Sequence, residues 1–311
     1  MLSVILPVYN ELGFIDNVIK FFLSNNHYDM ELFIIDGGST DGTIQIAEKY
    51  VCNYPQIKLL QNPNKHVPFA LNMGIKYSTG DPIIRLDAHT TYAENYFEKI
   101  IETFQQTNAD IVGGPMRAVG RSSFQSAVAY ATSTSFGIGD SKIHKPDYTG
   151  ESDHVYLGAW KRSLFDEIGF FDEKLIRDQD DEFHYRAKSL GKKIYLNSDI
   201  ISFYYPRGTW SKLFSQYFQY GLFKPLVLRK IKSEIKLRHI IPSIFVIYLI
   251  AVCLSFNTFY DKLPLFIYLL LDIYFSFRNN LLLLEKIKCL IVYPTIHLAY
   301  GIGFIIGLIK K

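Results

Sequence analysis

Four short runs of strand-forming residues, Leu2–Leu6, Glu31–Ile35, Ile57–Leu60 and Ile83–Leu86, alternate with stretches of helical spacing, and this alternation constrains the fold more than any other feature. Phe14, Ile15, Val18, Ile19, Phe22 and Leu23 mark the first helix, a second follows the turn at Gly37–Thr43 with Ser39 or Asp41 as its cap, and Pro68–Tyr77 is the third. Strands alternating with helices predict a mostly parallel sheet covered on both faces, and right-handed crossovers bring the strand-end loops to one edge. Open α/β sheets bind their ligands outside the carboxyl ends of the strands. The candidates for chemistry are therefore Glu11 after the first strand, Asp36 after the second, and Asp87 and His89 after the fourth.

In an extended segment residues two apart point to the same side, so Asp87 and His89 are expected to face one ion together. A solvated Asp and a loop His are the plainer alternative. The sequence contains neither a GxGxxG after the first strand nor a GxxxxGK[ST], which argues against a dinucleotide enzyme or a P-loop kinase. An edge rich in carboxylates accepts a diphosphate when a divalent cation lies between them.

Further along, a helix is expected over 93–106, a strand over 109–114, a flexible substrate-facing region over 122–151, and a helix over 162–168. Asp178-Gln179-Asp180-Asp181-Glu182 opens a helix that Gly191 closes, and 194–196 and 200–204 read as short strands. Residues 1–200 carry 19 Lys and Arg against 26 Asp and Glu, whereas residues 201–311 carry 14 against 4. The acidic first part argues against nucleic acid as a partner, because phosphate contacts need a basic face. Cys52, Cys253 and Cys289 form no disulfide framework or CxxC site, which suits a reducing compartment.

The basic part is of another kind. Trp210, Leu213, Phe214, Tyr217, Phe218, Leu222 and Phe223 make an aromatic stripe followed by Arg229, Lys230, Lys232, Lys236 and Arg238, as in a helix lying in a membrane interface. A solvated amphipathic helix packed on the domain would look similar. Apolar runs follow at 240–256, 263–277 (interrupted by Asp272) and 289–309. The basic residues before Ile240, and the lack of a secretory pattern at the start, lead to the expectation that residues 1–200 stay on the cytoplasmic side. The expected organisation is a globular domain at 1–209, basic aromatic interface helices at 210–239 and membrane-embedded segments at 240–311.

Pro7-Val8-Tyr9-Asn10-Glu11, Ile35-Asp36-Gly37-Gly38-Ser39-Thr40-Asp41-Gly42-Thr43, Asn64, Ala70-Leu71-Asn72-Met73-Gly74, Gly80-Asp81 and Leu86-Asp87-Ala88-His89 occur in that order. Together they resemble the family 2 inverting glycosyltransferases with the GT-A fold, within the membrane-attached bacterial branch typified by the succinoglycan-biosynthesis enzymes. The resemblance covers about residues 1–225. It implies a Rossmann-like, mostly parallel nucleotide-sugar domain followed by membrane-associated helices, with the catalytic domain in the cytoplasm at a bacterial-type inner (plasma) membrane.

The resemblance also implies roles. Pro7, Tyr9 and Glu11 match the first nucleotide-binding loop, Asp36 the carboxylate that reads the base, and Asp41 its support. Asp87, Ala88 and His89 match the DxD element that holds metal and diphosphate, with His in place of the second Asp. The cofactor implied is a divalent cation; imidazole favours Mn²⁺ over Mg²⁺, and a supporting or acceptor contact is the other reading of His89. Asp180 matches the catalytic base, and Gln179 replaces a Glu, which is expected to lower the proton affinity of Asp180. Asp178, Asp181 and Glu182 are rivals, and acids at a helix start are favoured in any case. His154, Tyr156, Gly158, Ala159 and Trp160 match the acceptor segment, with ordinary packing as the alternative, and Gln179 is counted with the acceptor residues.

The processive members carry Gln-x-x-Arg-Trp, and Gln216-Tyr217-Phe218-Gln219-Tyr220 lacks both Arg and Trp. The expected reaction is therefore transfer of one sugar from a nucleoside-diphosphate sugar to a lipid-linked glycan. A processive synthase and a non-catalytic nucleotide-sugar-binding membrane subunit are the alternatives.

Overall fold

The computed structural model describes residues 1–231, 235–254 and 258–310, so Lys232 of the basic stripe, Phe256 of the first apolar run and Lys311 lie outside the described residues. The strands are β1 (Leu2–Val8), β2 (Met30–Asp36), β3 (Ile57–Gln61), β4 (Ile83–Arg85), β5 (Thr90–Tyr92), β6 (Ile111–Gly114), β7 (Arg117–Ala118), β8 (Gly150–Glu151), β9 (Tyr156–Trp160), β10 (Ile194–Leu196) and β11 (Ser202–Tyr204). The helices are α1 (Ile15–Ser24), α2 (Thr43–Asn53), α3 (Val67–Tyr77), α4 (Tyr96–Thr107), α5 (Ser123–Ser133), α6 (Ser135–Ile138), α7 (Ser163–Ile168), α8 (Gln179–Ser189), α9 (Trp210–Lys230), α10 (Leu237–Leu254), α11 (Phe259–Phe277) and α12 (Leu283–Ile309).

The chain forms two compact units, Met1–Arg117 with Lys145–Tyr204, and Ala118–His144 with Tyr205–Lys311. This differs from the contiguous division expected at 209 and 239. The chain leaves the first unit after Arg117 and re-enters it at Lys145, and a cut along the sequence cannot express such an excursion.

In the first unit an eight-stranded sheet has the order β3-β2-β1-β4-β9-β6-β10-β8. The pairs β1–β2, β1–β4, β2–β3 and β6–β10 are parallel, whereas β9 runs antiparallel to both β4 and β6. The pleat of β1 sends Val4 and Leu6 to one face, where they pack with Ile15, Val18, Ile19 and Phe22 of α1 and Phe97 and Ile100 of α4. It sends Ile5 to the other face, against Leu71 and Ile75 of α3, with Trp160, Phe165 and Phe183 in the same cluster. With both faces covered, the strands read as unbroken apolar runs, which is why they were visible in the sequence.

The antiparallel β9 has a consequence for function. Its register sets Trp160 opposite Ile83 and Ile111, at the beginnings of β4 and β6, and Tyr156 opposite Gly114, at the end of β6. The start of β9 therefore lies at the ligand edge and its end lies away from it.

In the second unit, the region expected to be flexible is largely helical. Ser122 caps α5 by accepting the Gln125 N–H, and Ala127, Val128 and Ala131 pack with Leu213, Cys289, Val292, Tyr293 and Ile296. Small residues gave this helix a weak apolar pattern while letting it pack closely.

Helix α9 is seated on α12 through glycines: a Cβ on Gly221 would lie 2.1 Å from the Tyr300 carbonyl oxygen, and one on Gly303 2.1 Å from that of Phe218. Leu213, Val227 and Leu228 are buried, and the Trp210 indole N–H donates to Thr295 Oγ1 at 2.8 Å. Part of the expected interfacial stripe is thus spent on packing within the unit.

Helices α10 and α12 are long and apolar enough to cross a membrane. On α10, Leu237, Ile241, Ile244, Ile247, Ile250 and Leu254 are all exposed. Their spacing makes one apolar stripe along the helix, a surface that water does not favour and hydrocarbon does. The middle run, expected at 263–277, is the C-terminal part of α11, which is not among the helices of spanning character.

Candidate active site

The loops after β1 and β2 are stitched together by hydrogen bonds. Asn10, in the left-handed region at φ 56°, donates its N–H to Ser39 Oγ (2.8 Å), and its side-chain oxygen accepts from Thr40 N (2.8 Å). Glu11 N donates to Thr43 Oγ1 (2.8 Å) and Leu12 N to Asp41 Oδ2 (3.0 Å). Asp41 Oδ1 accepts from both the N–H (3.0 Å) and the hydroxyl (2.6 Å) of Thr43, so Asp41 rather than Ser39 meets the start of α2. Those bonds, the Thr43 hydroxyl foremost, hold its carboxyl below the usual range.

Asp36 is fully buried, and its carboxylate accepts from Gly38 N (2.7 Å) and Ser39 N (3.0 Å), which shapes the glycine turn from within. Pro7 is half-buried, whereas Tyr9 stands 51 % exposed at the edge with its ring open to solvent.

The segment after β4 departs from the extended geometry expected of it. Strand β4 ends at Arg85, Ala88 and His89 form a turn, and Thr90 N closes it on the Asp87 carbonyl at 3.3 Å. The Tyr92 hydroxyl accepts from Asp87 N (2.7 Å) and donates to Asp87 O (3.1 Å), fixing the backbone of the turn. The alternation rule that would have put Asp87 and His89 on one side does not apply in a turn. Asp87 is gripped by Arg85, whose Nε and Nη2 donate to its two oxygens at 3.0 and 3.2 Å, and His89 Nδ1 lies 3.4 Å from Glu11 Oε1. Ala88 is buried in the core and presents only its backbone.

Arg85 also faces the other carboxylate of interest, with Nη1 4.0 Å from Asp180 Oδ2. Asp180 sits half-buried in the first turn of α8, and its Oδ1 accepts from Asp181 N at 3.1 Å. Burial, then the charge of Asp181, raises the Asp180 carboxyl above the ordinary carboxylate value, against the pull of Arg85 and His154. The like charge beside Asp180 comes from the following residue, Asp181, while the preceding one is the neutral Gln179. Gln179 itself is buried. Glu182 is buried and tied to Arg186 by two bonds of 3.0 Å, which makes it structural.

Of the expected acceptor residues, His154 lies near enough to Asp180 to act on its charge, and the Tyr156 hydroxyl reaches Thr90 Oγ1 at 3.2 Å. Gly158, Ala159 and Trp160 are buried. Trp160, 1 % exposed, stacks edge-on against Phe165, Phe171 and Phe183 and donates to His184 Nε2 at 3.4 Å. Burial, with His154 adding to it, pushes that imidazole down to about 3, so it is neutral and able to accept. An acceptor-lining role for Ala159 and Trp160 is corrected to packing, because the antiparallel β9 carries them away from the ligand edge.

Arg85 is the residue of this site that the strand pattern concealed. It stood in the sequence as one charge in an apolar run, and a charge is buried in such a strand only with a partner.

Among the described residues, no group of three His, Cys, Asp or Glu could hold a metal by itself. The Asp87 carboxylate, and the His89 imidazole with Glu11 beside it, are donors of the kind that hold a divalent cation through one or two side chains, completed by substrate phosphates. Each Asp87 oxygen keeps acceptor capacity after its bond to Arg85.

A family model described as Glycosyl transferase family 2 matches residues 3–169. The Succinoglycan biosynthesis protein ExoA of Rhizobium meliloti (strain 1021) is 33% identical over 77% of this chain and 73% of its own length. The dolichyl N-acetyl-alpha-D-glucosaminyl phosphate 3-beta-D-2,3-diacetamido-2,3-dideoxy-beta-D-glucuronosyltransferase of Methanococcus voltae is 27% identical, with 99% of this chain and 97% of its own covered. Among solved structures, the mannosyltransferase PcManGT from Pyrobaculum calidifontis, in complex with GDP-Man and Mn²⁺, superposes with a TM-score of 0.67 at 17% identity, covering 99% of this chain and 87% of that one.

Proposed function

The chain belongs to glycosyl transferase family 2, and on that footing we propose that it moves one sugar, with inversion, from a nucleoside-diphosphate sugar to a hydroxyl of a lipid-linked glycan at the cytoplasmic face of a bacterial-type plasma membrane. The observation that carries the reading is the pairing of two carboxylates with separate tasks about one arginine: Asp87, oriented by the two-pronged bond from Arg85, and Asp180, whose proton affinity is raised. A single displacement needs one base near neutral pH and no enzyme nucleophile. Asp180 takes the proton of the acceptor hydroxyl as that oxygen attacks the anomeric carbon and the bond to the diphosphate breaks. Tyr9 offers its exposed side chain to the base, Glu11 lines the nucleotide side, and Asp36 shapes the glycine turn beneath it.

Asp87 and His89 would hold a divalent cation, which when bound neutralises charge on the leaving diphosphate. That the Mannosyltransferase PcManGT was solved with GDP-Man and Mn²⁺ supports both donor class and metal. The Methanococcus relative is named for a dolichyl-linked substrate, and α10 and α12 have the character of membrane helices, which together support an acceptor that resides in the membrane.

The test is to incubate the full chain in detergent with labelled nucleotide sugars, Mn²⁺ and a bacterial membrane lipid extract. Release of nucleoside diphosphate matched by a glycolipid one sugar longer is the expected result. A ladder of lengths would instead mark a processive synthase, and donor binding without transfer a non-catalytic subunit.

The histidine gives a second expectation. Replacing His89→Asp supplies an all-oxygen pair, and the ratio of Mn²⁺ to Mg²⁺ affinity, measured by calorimetry in the presence of nucleoside diphosphate, is expected to fall. An unchanged ratio would remove His89 from the ligand set.

A further inference from the structure

Resting on the reading of this edge as a glycosyl-transfer site, we propose that Arg85 is a positioning residue that serves both halves of the reaction, orienting the Asp87 carboxylate on the donor side and standing as counter-charge to Asp180 on the acceptor side. The two contacts use different parts of one rigid group. Nε and Nη2 form a fork on Asp87 at 3.0 and 3.2 Å, and Nη1 points to Asp180 Oδ2 at 4.0 Å. A guanidinium has five N–H donors in fixed geometry and keeps its charge throughout the accessible pH range, so it can hold one carboxylate by shape and act on another by charge.

Its base is equally rigid. Arg85 is the last residue of β4, paired in register with Ile5 of β1, and its side chain is only 12 % exposed. An arginine so enclosed has lost most of the water that would screen it.

On the acceptor side, the charged and titratable groups that face Asp180 are Asp181 on its own helix, Arg85 from β4 and His154 from the segment before β9. Burial and Asp181 favour the neutral acid, which cannot take a proton. His154 opposes them only when protonated, so Arg85 is the counterweight present at every working pH. On the donor side, the fork leaves a lone pair on each Asp87 oxygen for a cation, and partners that orient a ligand in this way are worth about 10–100-fold in affinity.

The experiment uses the full chain in detergent and two substitutions. In Arg85→Gln the charge is gone, so the acid limb of kcat/KM against pH should move to higher pH by about one unit. The affinity for UDP or GDP with Mn²⁺, whichever the wild type binds, should fall at least about tenfold in calorimetry. In Arg85→Lys the charge is retained without the fork, so the limb should stay near its wild-type position while the nucleotide affinity still falls. A residue that merely supported the fold would lower activity equally at all pH values. An unmoved limb in Arg85→Gln, or wild-type nucleotide affinity in Arg85→Lys, overturns the proposal.

Should Arg85→Gln lose its cooperative thermal transition, Arg85→Lys decides alone: weakened nucleotide binding with an unmoved limb supports the role, and unchanged binding overturns it. Absence of sugar transfer by the wild type would strike the glycosyl-transfer reading instead. The calorimetric comparison would then still decide whether Arg85 orients Asp87.

Discussion

Asp180→Asn is expected to lower the rate of sugar transfer by about 10²–10⁴-fold while nucleotide-sugar affinity stays near the wild-type value. Asparagine has nearly the same shape and can still accept from Asp181 N, but it cannot take the proton of an acceptor hydroxyl. Donor binding should survive because the Arg85 fork on Asp87 does not involve Asp180. The measurement is single-turnover transfer beside a donor titration of the same preparation. Transfer at more than a tenth of the wild-type rate would take the base role from Asp180 and leave Asp181, the next acid in the first turn of α8, as the next candidate. Asp180's raised proton affinity also sets the direction of the pH dependence: the base is competent above its pKa, and transfer falls off as pH drops through a value above that of an ordinary Asp.

Trp160→Ala should cost about 3–5 kcal/mol of stability. The indole is 1 % exposed and touches three phenylalanine rings, so its removal empties the centre of one face of the sheet. It also leaves His184 Nε2, buried and neutral, without the donor it has now. Thermal unfolding together with acceptor KM tests this. A lowered transition with unchanged acceptor KM in the folded fraction is expected, whereas a wild-type transition with a raised acceptor KM would return Trp160 to the acceptor site.

The contrast between Trp160 and His154 shows where reading along the chain reaches its limit. Both stand in one short stretch, and only strand direction separates them. In a parallel strand the end would face the ligand edge; in the antiparallel β9 the start does, so His154 comes near Asp180 and Trp160 goes to the core. Strand direction follows from which neighbours a strand pairs with, and pairing is not written in local composition. The same holds for Ser122–His144, whose alanines and serines carry little periodic signal until α9 and α12 supply the surface they fit.

By itself, the sequence determined the alternating strands and helices, the edge on which Glu11, Asp36, Asp87 and His89 fall, and the apolar character of α10 and α12. These rest on local periodicity, and a buried strand or a membrane-type helix shows its surroundings in its own residues. Only the tertiary structure decided that Asp87–His89 is a turn, that burial and then Asp181 raise the proton affinity of Asp180, and that Arg85 stands between Asp87 and Asp180. Those are electrostatic and hydrogen-bonding relations between residues distant in the chain. Their strength depends on separations of a few ångströms, which arise only when the strands have found their neighbours.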